Sequence, residues 1–381
     1  MDACDPATGV THTACAALDP TVATSLPAAA AFLVEGPSPI QTGVSPGTIN
    51  PARAAVIRGR TRTATGAPLS GVTLAILDHP ELGSTRTFAD GTFAMAVNGG
   101  GPLVVTYEAA GYLPVARQLE VPWHDYAVAP DVALTPRDPQ VTGIDLDALG
   151  SMAAARGSVV SDADGSRQAT VLFPPGVAAE MILPDGSAAP LATLSVRATE
   201  YTVGAQGPEA MPATLPLSTA YTYAVELSVD EAGAVSVIFS DALPFYLENF
   251  LGFPVGTAVP AGYYDRGRGV WVASENGRVI AVVDTAGGVA TLDSDGDGAP
   301  DDPATLNTLG ITEEERVMVA QLYSAGETLW RVPITHFTPW DLNWSYGPPA
   351  GACRPLELAC TLAGGDAGSG GAGGSGAAAS G

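Results

Sequence analysis

Ala54-Ala-Val-Ile-Arg-Gly-Arg-Thr-Arg-Thr63, Ala64-Thr-Gly-Ala-Pro-Leu-Ser-Gly71 and Val72-Thr-Leu-Ala-Ile-Leu77 read in order as strand, turn and strand. The first run alternates apolar and polar residues, as one half-buried strand does. The middle run is Gly/Pro/Ser turn chemistry. Outward from it the pattern repeats. Residues 85–88 make a third strand, Ala89-Asp-Gly91 a turn, and residues 92–97 a fourth. Gly99-Gly-Gly101 turns into a strand at 103–107, and residues 115–121 end the unit. Short strands at regular spacing with turn signals between them predict a β-sandwich.

Several of these residues recur in a fixed order: Gly59, Gly66-x-Pro68-Leu69-x-Gly71-Val72, Thr87, Asp90-Gly91-x-Phe93 and Gly111-Tyr112. In that order they resemble the carboxypeptidase regulatory-like, or transthyretin-like, domain over residues 54–122. The resemblance implies a sandwich without catalysis. Gly71 and Gly91 would supply positive φ in turns, and Phe93 and Tyr112 would fill the core.

Around this unit the chain divides by composition. Residues 1–30 lack periodicity and read as a flexible leader. Residues 31–53 hold a short apolar strand and a Pro-broken linker. Residues 123–152 are interrupted by proline and read as a connector in which 123–126 pack as a bridge between domains. Residues 153–291 form a second β-rich domain, with Asn276-Gly277 marking a tight hairpin and Asp162/Asp164 sitting in a hairpin turn. Residues 292–350 carry an acidic loop, short helices and a closing strand. Pro303 opens one helix, and Thr312 with Glu315 forms a capping box for the next. Residues 351–381 are a Gly/Ala/Ser-rich tail. The fold class is mainly β: tandem β-sandwich domains with a short helical segment after an acidic loop.

That loop, Asp293-Ser-Asp-Gly-Asp-Gly-Ala-Pro-Asp-Asp302, is the one run that reads as a chemical site. Alternating carboxylates in a Gly-rich turn aim several oxygens at one centre, and Ca²⁺ takes roughly 6–8 oxygen ligands. Against the EF-hand spacing, Asp293, Asp295 and Asp297 fall at the first three ligand positions, Ala299 at the backbone-carbonyl position and Asp301 at the next. The loop resembles thrombospondin type 3 and dockerin calcium loops. The closing acid is missing, because its position is Ala304, and Asp302 is the candidate substitute. Ca²⁺ is the expected cofactor.

Charge narrows the function classes. The chain has 381 residues, a net charge of −24 and no lysine, so every cation is arginine. Such a surface repels phosphate backbones and anionic bilayers. No apolar run is long enough to span a membrane, and no export signal is visible. Cys4, Cys15, Cys353 and Cys360 pair into disulfides if the chain is exported, with free thiols or a zinc site including His12 as alternatives. The histidines are scattered and no HExxH, GxSxG or phosphate loop is present. The expectation is a non-enzymatic protein.

Longer phrases carry a second resemblance. Leu33-Val-Glu-Gly-Pro-Ser-Pro-Ile-Gln-Thr-Gly43, Val56-Ile-Arg-Gly59, Glu248-Asn-Phe-Leu-Gly-Phe-Pro254, Gly262-Tyr-Tyr-Asp-Arg266 and Val332-Pro-Ile-Thr-His-Phe-Thr-Pro-Trp-Asp341 resemble the region preceding the repeat shell of bacterial RHS (YD-repeat) proteins. The resemblance, over residues 31–349, implies an exported β-scaffold at the cell surface, whose partner is the remainder of a larger RHS-type protein or a surface or secretion partner. The chain has neither the repeat array nor a toxin domain. The alternative is an adhesin or carbohydrate-binding module, with Trp340 or Trp344 as the aromatic that would stack on a glycan.

Overall fold

The computed structural model describes Thr21 and residues 23–216, 219–231 and 236–345. Within them the chain up to Trp344 forms one compact unit. Its first half is a sandwich. β1 (Ala54–Thr63), β2 (Thr73–Ile76), β3 (Ser84–Arg86), β4 (Thr92–Asn98), β5 (Gly101–Glu108), β6 (Val115–Val121), β7 (Tyr126–Val128) and β8 (Val132–Leu134) build two sheets. One is ordered β3-β2-β5-β6; in the other, β1 pairs antiparallel with β4 and in parallel with β7 and β8. Alternation decides the faces: Ile57, Phe93, Met95 and Val97 point into the core with Leu74, Val105 and Tyr107. Phe93 meets Tyr107 edge-on at 5.8 Å. Gly91, at φ +78, lets its turn press on β1, since a Cβ there would lie 2.3 Å from the Thr61 carbonyl.

Two expectations change here. Residues 31–36 do not form a strand. Ser25 caps a helical turn, α1 (Leu26–Ala30), which runs into a 3-10 turn at Ala31–Leu33, so the leader is helical at its end. Ala30 and Leu33 cover Val56 and Ala96 on the outer sheet face. The β4 edge that a strand would need is taken by buried Gln41, which donates to the Leu82 and Ala96 carbonyls and accepts from the Ala96 amide. Residues 123–152 are not a plain connector either. They supply β7 and β8, and Thr142–Asp145 is an edge strand of the next unit. Proline breaks this stretch only between its strands, and β1 offers the backbone partners.

The second half is layered three deep. A six-stranded sheet faces a nine-stranded one across a large core that holds Phe173, Tyr223, Phe245, Trp330 and Trp340. On the other face of the nine-stranded sheet lie α2 (Pro303–Thr308) and α3 (Glu313–Leu322), with Leu306, Ile311 and Val319 over Tyr246, Ile280 and Leu329. The strand Thr328–Phe337 therefore has two buried faces. Trp330, Val332 and Ile334 enter the sheet-to-sheet core, while Leu329 faces the helices. Arg331, half-buried beside them, fixes both helices. Its guanidinium donates to Glu315 at 2.6 and 2.9 Å and to the Leu309 and Gly310 carbonyls at 3.0 and 3.1 Å. Glu315 also accepts from the Tyr246 hydroxyl at 2.6 Å. The capping box is thereby half made. Thr312 accepts from the Glu315 amide, but the Glu315 carboxylate turns inward to Arg331.

Asn276-Gly277 is not a hairpin. Residues Val270–Ala273 pair with Gly262–Asp265 in the six-stranded sheet, and Gly277–Asp284 belongs to the nine-stranded one. The dipeptide carries the chain between sheets. Gly277 is required by close approach, because a Cβ would sit 2.2 Å from the Arg331 carbonyl. The two halves of the unit meet at buried Arg117, whose guanidinium donates to the carbonyls of Ala116, Met211 and Glu209. Burial lowers it to about 10, so it stays charged at neutral pH.

Two measurements test this packing. Arg331→Ala leaves the Glu315 carboxylate buried and unpaired, and urea denaturation should register a loss of roughly 3–5 kcal/mol. A loss near zero would contradict the network. Burial raises the Asp341 carboxyl to about 7, above the ordinary aspartate range. The folded chain then binds a proton that the unfolded chain has released, so stability falls as pH rises from about 4 to about 7 and levels off above. Asp341→Asn should flatten that slope and be the more stable form at pH 8; an unchanged slope would contradict the assignment.

Candidate metal centre

The acidic loop grows out of the strand Thr291–Asp293, whose Asp293 pairs across from Ala281. Asp-Gly pairs bend the chain here because Gly296 and Gly298 take φ +87 and +82, a region costly for residues with a Cβ. Each carboxylate then organises the turn after it. Asp293 accepts from the amides of Asp295, Gly296 and Gly298 at 3.1, 2.7 and 2.9 Å. Asp295 accepts from the Asp297 amide and Asp297 from the Ala299 amide. One oxygen from each of Asp293, Asp295 and Asp297 lies within 4.8 Å of the other two, with Asp293 buried and the others exposed. Calcium–oxygen distances of about 2.3–2.6 Å place opposite ligands at about this separation.

The remaining expected ligands behave differently. Ala299 is anchored through its amide. Asp301 spends one oxygen on the Ser294 amide and hydroxyl, at 2.7 and 2.5 Å, while its own amide donates to Leu292 and closes the loop neck. Asp302 stands outside the cluster of Asp293, Asp295 and Asp297. It is the N-cap of α2, accepting from the Ala304 and Thr305 amides. Those amides, with the Thr305 hydroxyl, hold its carboxyl below the usual carboxylate range. The Asx-type signal and the helix-start Pro303 were both in the sequence. The spacing did not reveal Ser294, which is 1% exposed, or the wall at Val255-Gly256. There a Cβ on Gly256 would sit 2.6 Å from the Asp295 carbonyl. Arg278 donates to the Ser294 carbonyl at 3.1 Å.

Other marked residues fall elsewhere. Asp162 sits in the expected hairpin and, with buried Glu200, holds Arg167. Trp340 is 0% exposed and Trp344 stacks on Phe253 at 4.0 Å, so both serve the core rather than a glycan. His336 lies against Tyr263 and Trp340, and burial lowers its pKa. Cys4, Cys15, Cys353, Cys360 and His12 lie outside the described residues.

Residues 49–134 match the Teneurin TTR-like domain. Teneurin-3 of Mus musculus is 34% identical over 107 residues, covering 28% of this chain and 4% of that protein. Teneurin-m of Drosophila melanogaster is 37% identical over 97 residues, covering 26% and 4%. The first sandwich is thus transthyretin-like, and these relatives are teneurins, not bacterial RHS proteins. The chain spans about 4% of the length of these curated relatives. Among solved structures, the dioxygenase domain of a dioxygenase carbohydrate-binding fusion from Streptomyces sp. SirexAA-E matches at 16% identity and TM-score 0.19, covering 24% of this chain and 84% of that one. No helix among the described residues is long and apolar enough to cross a membrane.

The cap and the cluster separate by mutation. Asp302→Ala should lower the melting temperature in metal-free buffer and leave any Ca²⁺-induced rise at its wild-type size. A smaller rise in that variant would make Asp302 a ligand after all.

Proposed function

We propose that this chain is a non-enzymatic β-scaffold of an exported or cell-surface protein, with Ca²⁺ bracing the loop between the strand Thr291–Asp293 and α2. The observation that carries the calcium reading is the convergence of Asp293, Asp295 and Asp297 within 4.8 Å. Like charges held this close repel, and a divalent cation turns that repulsion into attraction. The loop also stands on rigid neighbours, since Gly296 would meet the Val255 carbonyl at 2.6 Å if it carried a Cβ. Asp301 is the candidate for a fourth carboxylate through the oxygen that Ser294 leaves free, directly or through water.

The scaffold reading rests on the transthyretin-like sandwich and its teneurin relatives, together with a second unit whose large aromatics are spent on packing. Placement ahead of an RHS-type repeat shell is the finer form of the same reading. It rests on the phrases at 33–43, 56–59, 248–254, 262–266 and 332–341 alone. In that setting the partner is the remainder of a larger protein.

Extracellular modules bind Ca²⁺ at about 10⁻⁴–10⁻³ M. At about 10 mM Ca²⁺ a folded-state site of that affinity adds roughly 1–3 kcal/mol. Thermal unfolding should therefore show a rise of a few degrees that chelator reverses and that Asp295→Ala abolishes. A melting temperature indifferent to Ca²⁺ would leave the loop as an acidic turn and remove calcium from the account.

A further inference from the structure

The outer face of the β4-β1-β7 sheet is covered only in part. At one end Ala30 and Leu33 pack over Val56 and Ala96. Beyond them a groove of about 440 Å³ remains, floored by Val56, Ala94 and Ala129 and walled by Phe32 and Val128. Val128 is 77% exposed and Tyr126 40% exposed. Trp123 is no bridge between domains; its indole donates to the Gly99 carbonyl on the sandwich surface. Arg58 and Arg60 line the groove. Neither pairs with a carboxylate among the described residues. The Arg58 guanidinium stands 4.1 Å over the Tyr126 ring. Asp90, which feels Arg60, is held chiefly by the Thr92 hydroxyl and amide. Arg62, next in the row, already holds Asp131 at 2.6 Å.

We propose that this groove docks an extended acidic peptide segment of a protein partner, with an apolar residue beside Tyr126 and Val128 and carboxylates on Arg58 and Arg60. The spacing sets the register. Arg58 and Arg60 are alternate residues of one strand, about 7 Å apart along it. Carboxylates at alternate positions of an extended peptide repeat at the same distance. The pattern is apolar-x-acidic-x-acidic, and the Arg62–Asp131 pair already makes the next contact of this kind within the chain. Arginine forks suit carboxylates bidentately. The chain's charge of −24 repels acidic segments elsewhere, which confines docking to this groove. An anionic bilayer would bring its charge against the acidic surface around the groove as well, whereas one extended segment meets only the groove.

The test is fluorescence anisotropy with the full chain and a labelled peptide, Ser-Thr-Val-Thr-Asp-Thr-Glu-Thr-Ser. Saturable binding is expected, weakened about tenfold or more by Arg58→Glu/Arg60→Glu and by raising salt from about 50 to about 300 mM. The Asn/Gln version of the peptide should bind at least about tenfold more weakly. A wild-type melting temperature in the double variant shows that the fold is kept, and Arg60→Gln gives a milder second test. The proposal is overturned if no saturable binding occurs, or if the neutral peptide or the charge-reversed variant binds equally well. Arginine-dependent capture by phosphatidylserine vesicles in place of the peptide would also overturn it. So would peptide binding that appears only after removal of residues 1–20, which would give the groove to the chain's own N-terminal segment.

Discussion

Arg331 reaching Glu315 holds the second half of this molecule in register. The strand that carries it is buried on both sides, so its alternate residues must satisfy two different layers. Trp330, Val332 and Ile334 need only apolar neighbours. Arg331 enters the helix layer, where an unmatched charge would be costly. It is matched completely, by one carboxylate and by two carbonyls that close α2. That single side chain thus sets where α2 ends, where α3 begins and how both sit on the sheet. The Tyr246 hydroxyl on the same carboxylate ties in the neighbouring strand.

The same solution recurs. Arg167 is held by Glu200 and Asp162, and Arg266 by Glu226, which Tyr201 also reaches. Arg117 uses carbonyls alone. A chain without lysine has only planar five-donor forks to bury, and these fit carboxylates and clustered carbonyls better than a point charge would. The surface keeps the surplus of acid, and the acidic loop is its most concentrated part. Between β-strand and helix, that loop gathers three carboxylates where a cation would join layers already pinned by Arg331.

Much of the fold was legible in the sequence, and the limits are physical. Alternation in 54–63 and 92–97 reports a half-buried strand directly, and turn residues such as Gly91 have one conformational purpose. Which sheet a strand joins is not local. Asn276-Gly277 has ideal hairpin chemistry, yet the Arg331 carbonyl pressing on Gly277 explains the glycine without a hairpin. Residues 126–134 looked like linker because their partner, β1, lies some seventy residues back. At the loop, spacing picked out Asp293, Asp295 and Asp297, whose convergence within 4.8 Å is a local matter of turn geometry. It did not reveal that Asp302 caps α2, because a helix N-cap and a chelating position use the same residue type. Glu315 was readable as half of a capping box, but its buried pairing with Arg331 was visible only in three dimensions.

On the proposed reading, a cation closes the acidic loop and braces the strand-to-helix junction. Amide hydrogen exchange followed by mass spectrometry, with and without millimolar Ca²⁺, tests it most directly. The account predicts slowed exchange confined to residues 293–302, the facing Val255-Gly256 segment and the first turn of α2, with β1–β8 unchanged. Identical exchange in both conditions, or a diffuse change spread over both halves of the molecule, would contradict it.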